Sequence, residues 1–577
     1  MCVLSLFGSV AYGQDKDGDH HRGIVQDWSG RHLAYARFGS YKSLIAAQED
    51  PRAIDAWQDA FRKDWRRWKR HERKEHHPWD APPETEHRDW SISLGGGSTA
   101  ASMYPAKFSF DPAATASCAN DFIVYPVNVV GTSSQPNLVG FKNLYSGTAG
   151  GTGLCNRTPS GSDDGVSATT LWSYAVESFT GPAGGSVATS PSLSLDGTKV
   201  VFVDTLAGNP AHFHVLAWKS GDGQDAANLQ NVTASVKTIT SFVTAPPAAG
   251  SGTATDLAFG TTTDTLSSPF IDYGHDVAYV GNDTGTLFRI KDVFCTVSAA
   301  CSGGTPPAPS LDTTWGVSGG LATGCAGKLA SPVRDSVTGN IFVGCADGKL
   351  YGYTSTGTAL ANSPLTVGDG STTGNGNVGG IVDPPMIDSV NGFIYVTSVT
   401  GGNEILVQAT TTNLGSKVTS TLGPGTFQMH AGDFNDAYFS SGTTANWLFY
   451  VMGLNNSGGI ALYASSFSAG HALNSGAAAN EFSIGGTAAE FSPLTEFLNG
   501  GTDQLFVGGL LNASPNFLEF NINTFPTGFA GTATEGTLGT SGIVIDNSSA
   551  SGQASSMYFG TLGGTNTAVK LTQAGLN

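Results

Sequence analysis

The sequence predicts an all-β protein, an eight-bladed β-propeller with a short α-helical extension on its N-terminal side. Three observations carry this reading. Glycine (77 residues) and proline (26) punctuate a chain in which only 13% of residues are charged, which excludes a charged coiled coil and suits short strands joined by tight turns. The 31 Phe and 16 Tyr supply a core, which argues against a long disordered chain. Finally, one strand-turn-strand pattern recurs along most of the length, and a repeat of that kind outweighs any single motif.

The chain opens with MCVLSLFGSVAYGQ, an apolar run followed by the small-x-small pattern Ala11, Tyr12, Gly13. Residues 1–13 read as the second half of a secretory signal peptide without its basic start, with a short buried strand as the alternative. No later stretch reaches the ~18 consecutive apolar residues that span a bilayer. Export, to a periplasmic, cell-surface or secreted location, is therefore expected. Six cysteines follow Cys2, an even number that fits oxidation, and neighbours in sequence suggest Cys118–Cys155, Cys295–Cys301 and Cys325–Cys345. None forms a CxxC pair with zinc or thioredoxin spacing.

Residues 14–90 form a foreign segment holding six of the ten Trp and seven of the twelve His. Asp50-Pro51 is a good helix start, with Asp as N-cap and Pro at the first helical position. Ile54, Trp57, Phe61, Trp65 and Trp68 then recur at three- and four-residue spacings, an apolar stripe on a helix whose other face carries Arg52, Arg62, Lys63, Arg66 and Arg67. Pro78, Pro82 and Pro83 stop it. The stripe is a candidate docking face for a protein partner or a second copy. Packing on the chain's own acidic body and lying on a membrane surface are the alternatives. The cluster Asp15, Asp17, Asp19, His20 and His21 reads as a solvated tail.

From residue 91 to 577 the text becomes Gly-, Ser- and Thr-rich, and a unit recurs. Its openings are KFSFD (107–111), SPSLSLDG (190–197), SPFID (268–272), SPVRD (331–335), PPMID (384–388), MHAGD (429–433), SPLTE (492–496) and GIVID (542–546), with a mean period of about 62 residues. An aromatic and β-branched strand follows each, then a third. Such meanders cannot bury both faces alone, whereas radial stacking does so and leaves only short edges. Eight openings predict eight blades, or seven if the first or last unit is incomplete. Insertions are expected near 205–265 and 293–330. The formal charge of −18 falls wholly on residues 91–577, with 13 basic and 31 acidic side chains, so nucleic-acid binding by the body is disfavoured.

The stretch SPVRDSVTGNIFVGCADGKLYGYTSTG (331–357) resembles a blade of the quinoprotein-like propeller superfamily in its broad sense, and the likeness extends over roughly residues 105–577. It is similar above all to secreted bacterial propellers of uncharacterised role. The resemblance implies the fold; the superfamily contains both pyrroloquinoline quinone enzymes and non-enzymatic scaffolds. The adjacent Cys-Cys pair typical of its dehydrogenases is absent, so pyrroloquinoline quinone is not expected. No cofactor is predicted, with calcium left open.

Motifs that carry chemistry are sparse. GVSGG (316–320) matches the serine-nucleophile pattern but has no helix after it. His212 and His214 alternate on one strand face and are weak metal-ligand candidates without an identifiable third ligand. Asp272, Asp335, Asp388, Asp433, Glu496 and Asp546 recur at strand-to-turn junctions, where acids bond nearby backbone N–H groups, and are read as turn formers. Polar residues just before the openings should face the mouth of the central channel: Lys328, Asp383, His430 and Glu490 are the candidate ligand-binding set. No catalytic residue is assigned. The expected role is non-catalytic binding or assembly in the envelope or extracellular space. The alternative is an extracellular enzyme acting on carbohydrate or a small alcohol at the channel mouth.

Overall fold

A computed structural model describes residues 24–34, 50, 52, 87–110, 116–145, 155, 168–177, 185–260, 265, 267–370, 379–425, 428–440, 443–486, 488–499, 502–511, 516–535, 538–546, 556–563 and 566–572. Its first elements are strand β1 (Ile24–Gln26), the one-turn helix α1 (Trp28–Arg31), and strands β2 (Leu33–Ala34), β3 (His87–Ser93) and β4 (Ala106–Ser109).

The described strands assemble into eight sheets in series along the chain. Seven take their main strands from one continuous stretch each. The eighth joins Val544–Asp546, Ser556–Gly560 and Thr567–Thr572 to β3 from the other end of the chain. One strand of each sheet overlaps one of the eight recurring openings: β4, Ser192–Leu193, Phe270–Asp272, Val333–Arg334, Met386–Asp388, Asp433–Phe434, Thr495–Asn499 and Val544–Asp546. Among these strands the first sheet's touches the second's, the third's the fourth's, the sixth's the seventh's, and the eighth's the first's, so the two ends of the series meet. This is an all-β propeller. A sheet packed on both neighbours is buried on both faces, which explains why the second strands Phe122–Pro126, Val200–Asp204 and Val277–Gly281 are buried throughout rather than alternating.

A serine chain links the inner strands. The Tyr104 N–H donates to Ser190 Oγ (2.9 Å), the Ser190 N–H to Ser268 Oγ (2.9 Å), and the Ser268 N–H to Ser331 Oγ (2.7 Å). These are the serines of the repeated Ser-Pro openings. Strand edges that would face the axis unpaired thus find partners one sheet along.

The helical extension expected over 14–90 needs correction where it is described. Residues 24–34 hold two short strands and one turn of helix, and His87–Ser93 is an edge strand, not linker. Six cross-strand pairs with Thr567–Thr572 override the segment's polar composition. Ile54, Trp57, Phe61, Trp65 and Trp68, with the leader 1–13, lie outside the described residues. All three anticipated disulfides are present, Cys118–Cys155, Cys295–Cys301 and Cys325–Cys345. Among the described residues no helix is long and apolar enough to cross a membrane.

Candidate functional site

The inner edges of the sheets would border a channel, and residues 24–34 cross it. β1 pairs antiparallel with β4 of the first sheet, Val25 opposite Phe108. Eight residues later β2 pairs in parallel with Met386–Asp388 of the fifth sheet, Leu33 opposite Ile387. The segment thus runs from the first sheet of the series to the fifth.

Local chemistry shapes the crossing. Asp27 caps α1, its Oδ1 accepting from the Ser29 N–H at 3.0 Å. Trp28, 1% exposed, packs edge-on against Phe270 of the third sheet with ring centroids 6.2 Å apart. Arg52, itself buried, donates from Nη1 to Ser29 Oγ (2.6 Å) and from Nη2 to the Ile271 carbonyl (2.9 Å), and its guanidinium lies 4.4 Å from the Phe270 ring centroid. Asp50 holds it from the other side through both carboxylate oxygens. Arg31 reaches Asp433 of the sixth sheet in a close ion pair and the Leu494 carbonyl beside the seventh at 2.7 Å. The segment is therefore held by four sheets besides the first.

Next to that pair sits His32, 2% exposed, its carbonyl accepting from the Ile387 N–H at 2.9 Å. Its ring lies against the backbone of Pro384 and Pro385. Burial drives its pKa down to about 4, with Asp383 opposing and Arg31 reinforcing the shift, so the ring is neutral at ordinary pH. Asp383 lies beside it, its Oδ2 3.0 Å from His430 Nδ1 and 2.8 Å from the Ala431 N–H. Burial alone would raise that carboxyl; His430 and the Ala431 N–H outweigh it and hold the pKa below the ordinary value. A cavity of about 10 Å³, room for one water, is lined by Asp383, Pro384, Thr397 and Ala431.

Of the four residues expected at the channel mouth, Asp383 and His430 meet here. Lys328 does not: it is half exposed and pairs with Asp283 at 2.8 Å. Glu490 lies in the strand Ala488–Phe491, and its side chain is outside the described residues. Sequence reasoning missed Arg31, His32 and Tyr104. The one local signal was Asp27-Trp28-Ser29, an N-cap ahead of a lone tryptophan.

The recurrent acids divide. Asp335 and Asp388 are turn formers, accepting from the N–H groups of Val337 and of Val390 and Asn391. Asp272 accepts from His275 and also pairs with Arg334 at 3.1 Å. Asp433 and Asp546 do other work, the first binding Arg31 and the Glu496 N–H, the second pairing with Lys107. One position in the repeat thus serves either the turn or a charge brought from elsewhere.

His212 and His214 are not arranged to share an ion. His212 Nδ1 lies 2.6 Å from Asp256 Oδ1, while His214, fully buried, is bracketed by Asp204 Oδ1 (Nε2, 2.8 Å) and the Thr255 carbonyl (Nδ1, 2.9 Å). Among the described residues, the groups whose donor atoms could converge on a metal are Cys325, Cys345 and Asp347, and Asp276, Asp292 and Cys301. Their cysteines are consumed by disulfides, which removes the thiolate donors. In GVSGG, Val317 and Gly320 form a tight turn into the strand Gly320–Ala322, with no helix for a nucleophile elbow.

These features define a propeller whose axis is spanned by its own chain. Among solved structures it is similar to the Dos1 propeller (TM-score 0.45, 9% identity, covering 84% of this chain and 95% of that one). It is also similar to Saccharomyces cerevisiae Sqt1 (TM-score 0.46, 11% identity, 85% and 100%). A third is Chaetomium thermophilum Sqt1 bound to the N-terminus of the ribosomal protein L10 (TM-score 0.40, 10% identity, 78% and 93%). No protein-family model and no curated protein matches the chain.

Proposed function

We propose that this chain is an exported, non-catalytic binding or assembly propeller of the cell envelope or extracellular space. The observation that carries the reading is the crossing of the axis by residues 24–34, anchored on the first and fifth sheets. A propeller enzyme would use the concavity at its channel mouth, and here Trp28, Arg31 and His32 occupy that space; the broad faces and rim are left for partners. Three disulfides favour an oxidising compartment. The likeness of residues 331–357 to secreted quinoprotein-like blades agrees with export.

The Trp-striped segment 54–68 is the proposed docking element. Light scattering on the full chain and on a Trp57→Ala/Trp68→Ala variant tests it. A multimer that falls to a monomer in the variant supports assembly through this stripe. Unchanged solution mass together with unchanged thermal stability overturns it.

A further inference from the structure

The seam between the first and eighth sheets contains two lysines with no exposure at all. Lys107, on β4, places Nζ 2.8 Å from Oδ2 of Asp546 at the end of the strand Val544–Asp546, and both side chains are 0% exposed. Lys570, on Thr567–Thr572, pairs closely with Asp89 of β3 and donates to the Leu144 carbonyl at 3.0 Å. The Tyr145 ring lies between them, its centroid 5.6 Å from Lys107 Nζ and 5.4 Å from Lys570 Nζ.

The shared phenol singles out Lys107 and Asp546. The Tyr145 hydroxyl has one proton and two carboxylate neighbours, Asp121 Oδ2 at 2.7 Å and Asp546 Oδ2 at 3.2 Å. Asp121 also accepts from the Phe110 and Ser117 N–H groups, at 2.8 and 2.9 Å. Lys107 Nζ also donates to Ser109 Oγ at 2.8 Å and to the Phe108 carbonyl at 3.2 Å, which fixes the amine against Asp546. Condensation would remove both charges of a pair that is costly to bury as ions.

We propose that Lys107 and Asp546 condense to an intramolecular isopeptide bond. In this step one proton passes from Nζ to the Asp546 carboxyl, the freed Nζ lone pair attacks Cγ and a C–N bond forms. Nζ loses a proton, the Cγ–OH bond breaks, and the oxygen leaves as water with that proton. The ammonium and carboxylate of the starting pair thus become one amide and one water, with no oxidant or co-reactant. Tyr145, bonded to both Asp121 and Asp546, is placed to relay protons between them. The dry seam favours loss of water and holds the reacting groups in contact. The product would tie position 107 to position 546 and make closure of the ring covalent.

The test is the intact mass of the purified, folded full chain after reduction of its disulfides and denaturation, followed by peptide mapping. The expected result is a mass lower than the sequence mass by one water, and a branched peptide joining the segments that contain Lys107 and Asp546. Lys107→Arg, which keeps the charge but not the reactive amine, is expected to lose both signatures. The full sequence mass in the folded wild-type chain overturns the proposal, whether or not the variant folds. Loss of water mapped elsewhere, including a link between Lys570 and Asp89, overturns it as well.

Discussion

Arg31 and Asp433, 402 positions apart in sequence, form an ion pair where the crossing segment meets the sixth sheet. The two side chains are 16% and 13% exposed, so neither charge is well hydrated. Removing one partner of such a pair leaves the other buried and uncompensated, whereas removing both leaves little behind. Arg31→Met should therefore destabilise the protein by about 2–4 kcal/mol, and Asp433→Asn by a similar amount. The double variant should recover much of the loss. Denaturant unfolding of the four proteins checks this; strictly additive losses would mean that the pair does not anchor the segment.

His214 is bracketed by two acceptors, so both ring nitrogens must carry protons to satisfy Asp204 and Thr255. Burial opposes the charge, but Asp204, its hydrogen bond and the more distant Asp256 more than reverse that effect and raise the pKa above 6.5. The rings of Phe202 and Phe242 stack on it at 5.0 and 5.4 Å. A folded-state pKa above the unfolded one contributes stability that is full below the unfolded value and is lost as pH rises through the folded one. The difference in melting temperature between wild type and His214→Gln should be widest near pH 6 and shrink toward pH 9. A difference that stays constant across that range would show the imidazole to be neutral throughout.

Glu404 behaves oppositely. It is fully buried, its Oε2 accepting from the Leu454 N–H at 2.9 Å while Oε1 has no hydrogen-bond partner. Burial pushes its pKa up to about 8, with the Leu454 N–H partly opposing. Between the unfolded value of 4.5 and about 8 the folded state binds more protons, so stability falls as pH rises through that window. Glu404→Gln removes the ionisation while keeping an acceptor for Leu454. It should be nearly neutral at pH 4.5 and stabilising by roughly 2–4 kcal/mol at pH 8, since each tenfold change in a proton-binding equilibrium is worth about 1.4 kcal/mol. Equal stabilities at pH 8 would place the carboxylate in contact with water.

The fold was legible because a repeat multiplies a weak signal: each opening alone is a short apolar run, yet each of the eight overlaps a strand of a separate sheet. The disulfide pairs followed because partners in a meander are near in sequence. The axis was not legible. β1 and β2 are three and two residues long and α1 is four, too short to show any period. Their identity comes from contacts such as Arg31 to Asp433, which no local pattern encodes. The acids of the repeat misled for a related reason, because Asp335 and Asp433 share a position in the unit while their partners differ.

The serine chain offers the sharpest test of how neighbouring sheets are joined. Ser268 accepts the Ser190 N–H through Oγ and donates its own N–H to Ser331 Oγ, and Ser190 and Ser268 are both buried. In Ser268→Ala the second bond survives, because it uses the backbone, while the Ser190 N–H is left without its acceptor. Such a donor costs about 1–3 kcal/mol, which exceeds what removal of an exposed hydroxyl costs. Ser268→Ala should therefore lower stability by that amount, and hydrogen exchange at the Ser190 amide should accelerate while that at Ser268 does not. Unchanged exchange at Ser190 would show that the sheets are held by side-chain packing alone, and that the repeated Ser-Pro openings serve the local turn instead of the joint between sheets.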